Sequence, residues 1–161
     1  MEHIDTRSWG DLVRVRAVMA LGHTRDPAVF ETLVEKSRVD NADPVRSAAA
    51  VALGVLADHV PDYRDRCVQR LCHMLREPGF RAQLAAIGAL ATAGSSAAVG
   101  PLSQVHASAP DGRTRRKAWE ALHQLRQGRT TEDGLQRIRD ELSTLREQQA
   151  GLRARVDRLQ R

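Results

Sequence analysis

The sequence of 161 residues is 42% apolar but only 3% aromatic, so any core must be built mainly from aliphatic and small side chains. It carries 25 basic and 20 acidic residues, and the resulting formal net charge of +5 is spread along the chain. Dedicated nucleic-acid-binding proteins usually gather such an excess on one face or in one arm, so this composition does not favour that class.

No stretch approaches the roughly 18 apolar residues that a membrane-spanning helix needs, and the N-terminus lacks the apolar segment of a signal peptide. Cys67 and Cys72 are five positions apart in one predicted helix and so lie on different faces, which argues against a disulfide between them. We therefore expect a protein of the reducing cytoplasm.

A short pattern recurs four times along most of the chain. Residues 11–22 and 43–54 both read Asp-x-Val-Arg-x-x-Ala-x-x-Ala-Leu-Gly, displaced by 32 positions. Looser copies occupy residues 80–94 and 111–122. A period within about 20–50 residues predicts a solenoid of stacked supersecondary units rather than one globular core.

Apolar residues at helical spacing, separated by short turns rich in Pro, Gly and Asp, predict a series of helices. Gly22 falls where a C-terminal glycine is expected and is predicted to end the first helix. In the last of the series, Trp119 and Leu122 share the apolar phase and are predicted core residues. The first predicted helix is capped by Ser8 or Asp11 and runs to about Leu21, and the last runs from a turn at residues 109–112 to about Leu125. The predicted ranges between them are about 27–38, 43–57, 61–76, 80–92 and 97–108.

The first repeat has only one helix, and the residues before Trp9 are too few and too polar to supply the missing partner. Solenoid ends normally carry a polar capping face, whereas this helix presents Val15, Val18 and Met19. We therefore expect that Met1 is a start imposed on a longer protein.

The repeated pattern resembles the HEAT family, in the short bacterial form also seen in phycobilisome-lyase-type repeats, over about residues 9–126. The resemblance implies an all-α HEAT-repeat solenoid whose repeated Asp and Arg residues bond between neighbouring repeats. The third repeat departs from the pattern, since Pro78 replaces its Asp and two extra residues follow Arg81. The implied stacking ladder comprises Asp11, Arg14, Asp43, Arg46, Arg81, Asp111 and Arg115.

A second periodicity follows a predicted linker at residues 127–131. Within residues 132–161, apolar residues recur alternately three and four positions apart. This is the spacing of the a and d positions of four heptads, with the polar Gln149 at one a position. This narrow stripe predicts a long helix that forms a homo-oligomeric coiled coil; the alternative is an amphipathic helix packed back onto the solenoid. The predicted oligomerisation residues are Leu135, Ile138, Leu142, Leu145, Gln149, Leu152, Val156 and Leu159.

No combination of residues marks a catalytic, cofactor-binding or metal-binding site. None of the six histidines is followed by Glu, and no Gly-rich phosphate-binding loop occurs. Cys67, Cys72 and His73 do not converge on one point of a helix, and no second pair completes a tetrahedral zinc site. We therefore expect a chain with no catalytic residues and no cofactor.

The arginine ladder could alternatively bind phosphates, as in the HEAT-type alkylpurine glycosylases that it resembles. The best local candidate for nucleic-acid contact is the basic run at residues 113–119. Because Trp119 is expected in the core and the repeated arginines are spaced with aspartates, we favour the structural role for the ladder.

The order of the parts suggests a wider resemblance. HEAT repeats, a Gly break and a terminal leucine-heptad helix look like the C-terminal region of certain bacterial aminopeptidase-N-type zinc metallopeptidases, whose catalytic motifs have no counterpart here. The resemblance implies a non-catalytic interaction and oligomerisation module, with residues 1–126 contacting a protein partner or an upstream domain. The alternatives are a stand-alone HEAT scaffold that binds nucleic acid, and a phycobilisome-lyase-like HEAT protein that acts on a tetrapyrrole protein.

Overall fold

The computed structural model describes residues 11–128 and residues 142, 143 and 146. Within these residues the chain is helical and has no β-strand, which confirms the predicted all-α class. Short 3-10 turns at Pro27–Val29 and Ser96–Ala98 precede the second and sixth helices. The helices are α1 (Leu12–His23), α2 (Phe30–Lys36), α3 (Asp43–His59), α4 (Pro61–Met74), α5 (Phe80–Ala93), α6 (Val99–Ser108) and α7 (residues 112–128).

The helices form two layers. In one layer, α3 packs between α1 and α5. In the other, α2 packs against α3, and α4 packs against both α3 and α5. From α2 to α5, each helix packs against the next one in the chain, while α1, α3 and α5 stack side by side, as predicted for a solenoid.

Local sequence sets several helix starts. Pro44 and Pro61 lie in the first turns of α3 and α4, where a backbone N–H would have no helical partner. Before α2, the carboxylate of Asp26 accepts the backbone N–H of Ala28 at 2.9 Å and caps the 3-10 turn. Pro and Asp residues of the predicted turns therefore lie at the helix starts and favour them.

The prediction that Gly22 ends α1 is wrong, because the helix continues to His23 and Gly22 is buried inside it. A Cβ on Gly22 would lie 2.7 Å from Cα of Ala52 in α3. One repeat later, a Cβ on Gly54 would lie 2.9 Å from Cα of Ala89 in α5. Both glycines therefore allow the following helix to approach to backbone contact.

The core is aliphatic and rich in alanine, in agreement with the composition. Leu53 and Leu90 are fully buried at equivalent positions of α3 and α5, and Ala49 and Ala86 are fully buried one turn earlier. Small side chains between the leucines keep the helices close together, because interiors are packed as densely as organic crystals.

The prediction that Trp119 belongs to the core is wrong. α7 buries Ala118, Ala121, Leu122 and Leu125, whereas the side chain of Trp119 is 54% exposed. Successive residues of an α-helix are about 100° apart, so a buried stripe through Ala118 and Ala121 turns Trp119 away from the core. Leu122, the other predicted core residue of this helix, is buried.

The chain divides into two compact units, residues 1–125 and 126–161. α7 continues past its predicted end at Leu125, so residues 127 and 128 of the predicted linker are helical. Neither Arg126 nor Gln127 disfavours a helix, which accounts for the extension. Among the described helices, none is both long enough and apolar enough to cross a membrane.

Candidate functional site

Asp43, at the start of α3, contacts the first turn of α5 in the next repeat. Its carboxylate oxygens accept the backbone N–H groups of Arg81 and Ala82, each at 3.1 Å. These groups have no acceptor within α5 because they belong to its first turn, and a carboxylate there also complements the helix dipole. Asp43 therefore connects two neighbouring repeats.

Arg46 lies one turn further along α3 and is only 3% exposed. Its Nε donates to the carbonyl oxygen of Ser37 at 3.2 Å, and its Nη2 donates to Oε2 of Glu77 at 2.8 Å. Its Nη1 donates to the carbonyl oxygen of Pro78. A buried guanidinium is tolerated when its donors are paired, and these acceptors come from two different repeats.

Arg70 on α4 completes this group, which we call the Arg46 network (Ser37, Arg46, Arg70, Glu77 and Pro78). Nη1 of Arg70 donates to Oε1 of Glu77, and its Nε donates to the Ser37 hydroxyl, both at 2.6 Å. Partial burial by itself would raise the pKa of Glu77. The hydrogen bonds and charges of Arg70 and Arg46 outweigh burial and hold this pKa below its ordinary value.

Gly79 makes room for the network. It has a φ of +114°, a backbone conformation that favours glycine. A Cβ at this position would lie 2.5 Å from Oδ1 of Asp43 and 2.7 Å from Nη1 of Arg46. Sequence reasoning missed Arg70 and Glu77, because neither recurs in the other repeats. The sequence feature that could have drawn attention to Glu77 is the Pro-Gly turn that follows it.

Two other predicted ladder residues are local partners of each other. Nη1 of Arg14 lies 3.3 Å from Oδ1 of Asp11, three positions earlier in the chain. In the third repeat the side chain of Arg81 is exposed, and its backbone N–H is the group that meets Asp43. The carbonyl oxygen of Pro78 serves as an acceptor for the preceding repeat's arginine, at the position where the pattern expects an aspartate.

The fourth repeat uses its Asp and Arg differently from the second. Asp111 accepts the backbone N–H of Thr114 at 2.8 Å and caps its own helix, a contact that lowers the pKa of Asp111. Arg115 is exposed, and its Nη1 donates to the carbonyl oxygen of Ala109 at 3.1 Å. These contacts hold the turn between α6 and α7.

A groove of about 360 Å³ opens on the layer that contains α3, α5 and α7. Val51 and Val55 of α3 and Ala91 of α5 supply apolar lining. Lys117 and Glu120 of α7 supply the polar rim. We call this feature the α3–α5–α7 groove.

The groove opens where the repeat pattern changes. Ala91 stands in α5 at the position that Gly22 and Gly54 hold in α1 and α3. Alanine adds a methyl group where glycine leaves the backbone open to close approach. Above Gly88, the nearest atom to an added Cβ is Cε of Lys117 at 3.8 Å, so there is open space here. The groove is the space that remains between α5 and α7.

Lys117 gives the groove a positive charge. Glu120 is engaged by Arg116, whose Nε lies 3.0 Å from Oε1 of Glu120. Across residues 11–128, the ammonium group of Lys117 has no ion pair or hydrogen bond. The groove therefore suits a ligand with an apolar body and a carboxylate.

Two further clefts lie in the other layer. One of about 350 Å³ between α2 and α4 contains its own cation, since Cζ of Arg66 lies 4.3 Å from the ring centroid of Phe30. The same guanidinium binds Glu31 at 2.8 Å. A cleft of about 270 Å³ between α4 and α6 is lined by Cys72. That cleft also contains Arg76 but is the smallest of the three. We regard the α3–α5–α7 groove as the best candidate because it is the roomiest of these three clefts and, unlike Arg66 in the α2–α4 cleft, Lys117 is not engaged by a described side chain.

Within the described residues, no group of three His, Cys, Asp or Glu side chains could hold a metal ion. Cys67 and Cys72 are free thiols. Burial raises the pKa of Cys67 to about 12 and also raises the pKa of Cys72. A thiol with a raised pKa is a poor nucleophile, because the thiolate is the reactive form.

The predicted oligomerisation residues lie almost entirely outside the described residues. Leu142 is the exception, and it is helical and exposed. The coiled coil therefore stays a prediction. Its undescribed positions are Leu135, Ile138, Leu145, Gln149, Leu152, Val156 and Leu159.

The repeats and their helical pairing define a HEAT-type α-solenoid. The model of the PBS lyase HEAT-like repeat family matches residues 13–37. The fold is similar to that in the structure of the complex of CpcE and CpcF of phycocyanin lyase from Nostoc sp. PCC7120. The TM-score is 0.64 at 24% sequence identity, over 74% of this chain and 76% of that chain.

These matches confirm the solenoid fold and the HEAT-like repeat. No curated protein matches the chain in sequence. Neither match concerns an aminopeptidase, so the comparisons do not support the resemblance to the C-terminal region of a metallopeptidase.

Proposed function

We propose that this chain is a phycobilisome-lyase-like HEAT protein that binds a tetrapyrrole in the α3–α5–α7 groove and presents it to a partner protein. The unpaired Lys117 beside an apolar lining is the observation that carries this proposal. The family match and the fold similarity support it, because both point to lyase-type HEAT proteins.

The chemistry of a bilin, an open-chain tetrapyrrole, fits the groove. Its pyrrole rings are largely apolar and can pack against Val51, Val55 and Ala91. Its carboxylate side chains can pair with Lys117. The volume of about 360 Å³ lies within the usual range of roughly 300–1,000 Å³ for ligand sites. An open groove leaves part of such a ligand accessible to a second protein.

Absorbance titration of a bilin with the full chain tests the proposal. We expect a saturable spectral change. Gly88→Leu places a branched side chain in the groove and should abolish that change. Ala107→Leu is the matched control, since it adds the same side chain to an exposed position of α6 outside the groove. Lys117→Gln should weaken binding roughly tenfold, because it removes a charge-assisted contact.

An absorbance spectrum that the protein leaves unchanged would contradict the tetrapyrrole assignment. If Gly88→Leu binds as well as Ala107→Leu, the groove is not the site. If Lys117→Gln binds as tightly as the wild type while Gly88→Leu does not bind, the carboxylate contact is wrong and the groove is retained.

We also propose that residues 132–161 assemble the chain into a homo-oligomer, a proposal supported by the heptad spacing. Light scattering after size exclusion should give a dimer or a higher species for the full chain. Leu142→Asp combined with Leu145→Asp should give a monomer, as should truncation after residue 128. A monomeric full chain would contradict this proposal. We do not propose an aminopeptidase parent, because no comparison supports one.

A further inference from the structure

The side of α7 that carries Trp119 corresponds to the side by which earlier repeats contact their successors. Trp119 follows the first alanine of the repeated pattern, as Val18, Ala50 and Ile87 do in α1, α3 and α5. Those three residues are completely buried, whereas Trp119 is 54% exposed. The equivalent position in the last described repeat is therefore uncovered.

The next position on the same side of the helix has also changed. Four residues further on, α1 and α3 have Gly22 and Gly54, which touch the following helix through backbone atoms. α7 has His123 at that position. The two rings pack edge to face, with centroids 5.6 Å apart. A further repeat cannot approach this side as closely as α3 approaches α1, because the imidazole occupies the space.

The surroundings of Trp119 are basic. Arg115, one turn earlier, is bonded through Nη1 to a neutral carbonyl oxygen, and no acidic side chain pairs with it in the described part of the chain. Arg113 adds a second exposed positive charge near the start of the helix, whereas the charge of Arg116 is paired with Glu120 at 3.0 Å. A second copy of this face would bring like charges together, so self-association is disfavoured here.

We propose that the α7 end face, formed by Trp119, His123 and Arg115, docks an acidic amphipathic helix of a partner protein. In the earlier repeats, the residue equivalent to Trp119 is buried against the next helix, so we expect a helix as the occupant of this face. Because His123 replaces glycine, the partner helix must contact α7 through side chains and not through backbone atoms. The positive charge of the arginines favours a partner helix that carries carboxylates on either side of its apolar stripe. Tryptophan and arginine are both enriched among the residues that dominate the binding energy of protein interfaces. This face is independent of the groove, and neither proposal needs the other.

The probe is a synthetic helical peptide with a leucine stripe flanked by glutamates. Two controls have the same stripe flanked by lysines, and the same residues in scrambled order. The protein is the full chain with Trp9→Phe, so that Trp119 is the sole indole. We expect the acidic peptide to shift the Trp119 emission to shorter wavelength in a saturable way, and the shift to weaken as salt rises.

In the otherwise unchanged full chain, followed by labelled-peptide anisotropy, Trp119→Ala should weaken binding roughly tenfold or more. Arg115→Gln should weaken it about threefold and reduce its salt dependence. Arg38→Gln, at an exposed position before α3, is the matched control and should have no effect. Unchanged thermal melting of Trp119→Ala establishes that the loss is not due to unfolding.

Several results would overturn the proposal. The lysine or scrambled peptide could bind as tightly as the acidic one, or no peptide could bind. Trp119 could already be shielded from acrylamide in the full chain, which would mean that something else covers it. Loss of an oligomer on Trp119→Ala would identify a second copy as the occupant. Binding of a single-stranded oligonucleotide that depends on Trp119 and exceeds that of the acidic peptide would identify nucleic acid instead.

Discussion

Between α3 and α5 the backbones meet at Gly54 and Ala89, whereas between α5 and α7 the corresponding glycine is replaced by Ala91 and a groove opens. The Arg46 network and Asp43 reinforce the first of these junctions. In the fourth repeat, the aligned residues Arg115 and Asp111 bond within their own turn and helix. One repeated pattern thus produces a closed, polar-bonded junction and a more open one, and the candidate groove lies at the open one.

The largest expected effect comes from replacing the two equivalent arginines. Arg46→Met should lower the free energy of unfolding by about 3 kcal/mol or more, because it leaves Glu77 without one of its two cations and the carbonyl oxygen of Pro78 without its arginine donor. Arg115→Met should lower it by less than about 1 kcal/mol, since this exposed side chain loses one hydrogen bond. Urea unfolding of both variants measures the difference. Equal losses would mean that the two junctions are held alike.

A second pair of variants tests the backbone contact itself. Gly54→Ala should destabilise the protein by about 2 kcal/mol, because the added Cβ would lie 2.8 Å from that of Ala89. Gly88→Ala should stabilise it by about 0.5–1 kcal/mol, because alanine is the better helix former and its Cβ has space. Thermal melting distinguishes the two signs. A stabilised Gly54→Ala variant would mean that the close approach of α3 and α5 does not depend on glycine.

The pH dependence of stability should reveal Glu77. Its pKa in the folded protein lies below the ordinary value of 4.5, so its ionised form contributes stability that is fully present above that value. The contribution is lost as the pH falls through the folded-state pKa. The difference in unfolding free energy between the wild type and Glu77→Gln should thus be constant near neutral pH and shrink below about pH 4.5. A difference that stays constant down to pH 3 would contradict the claim that Arg46 and Arg70 stabilise ionised Glu77 in the folded protein.

The smallest effect concerns the two thiols of α4. Cys67 is fully buried in the core, and its pKa is raised to about 12, so it should react with an alkylating reagent only after unfolding. Cys72 lines the cleft between α4 and α6 and should react slowly in the native state. Mass spectrometry counts the modified sites, and Cys72→Ser should abolish the native-state reaction. Fast native labelling of Cys67 would mean that the core opens readily.

Much of the fold could be predicted from the sequence because the HEAT pattern is local and repeats. The Pro and Asp residues that start the helices act within one turn, and the apolar positions at Leu53 and Leu90 follow helical spacing. Glu77 and Arg70 could not be predicted as partners of Arg46, because their meeting depends on how two hairpins stack. The sequence shows Lys117 as part of the basic run at residues 113–119 and does not indicate that it borders a groove.

Two wrong predictions have the same physical origin. Glycine commonly occurs at helix ends, which predicts an end at Gly22, but in this fold Gly22 permits close packing against Ala52. The helical spacing of Trp119 and Leu122 predicts a core position for both, but the side chain of Trp119 is mostly exposed. Propensity and periodicity describe a helix by itself, whereas these residues are defined by the neighbouring helix.

The sequence by itself determined that the protein is an all-α stack of HEAT-like repeats, because helix periodicity, turn residues and the repeat length are encoded over a few tens of residues. The tertiary structure decided which helices touch through glycine, which arginine is buried, and where a groove and an exposed tryptophan remain. Those features depend on distances between side chains far apart in the chain. Such distances are set by packing, which no local pattern specifies.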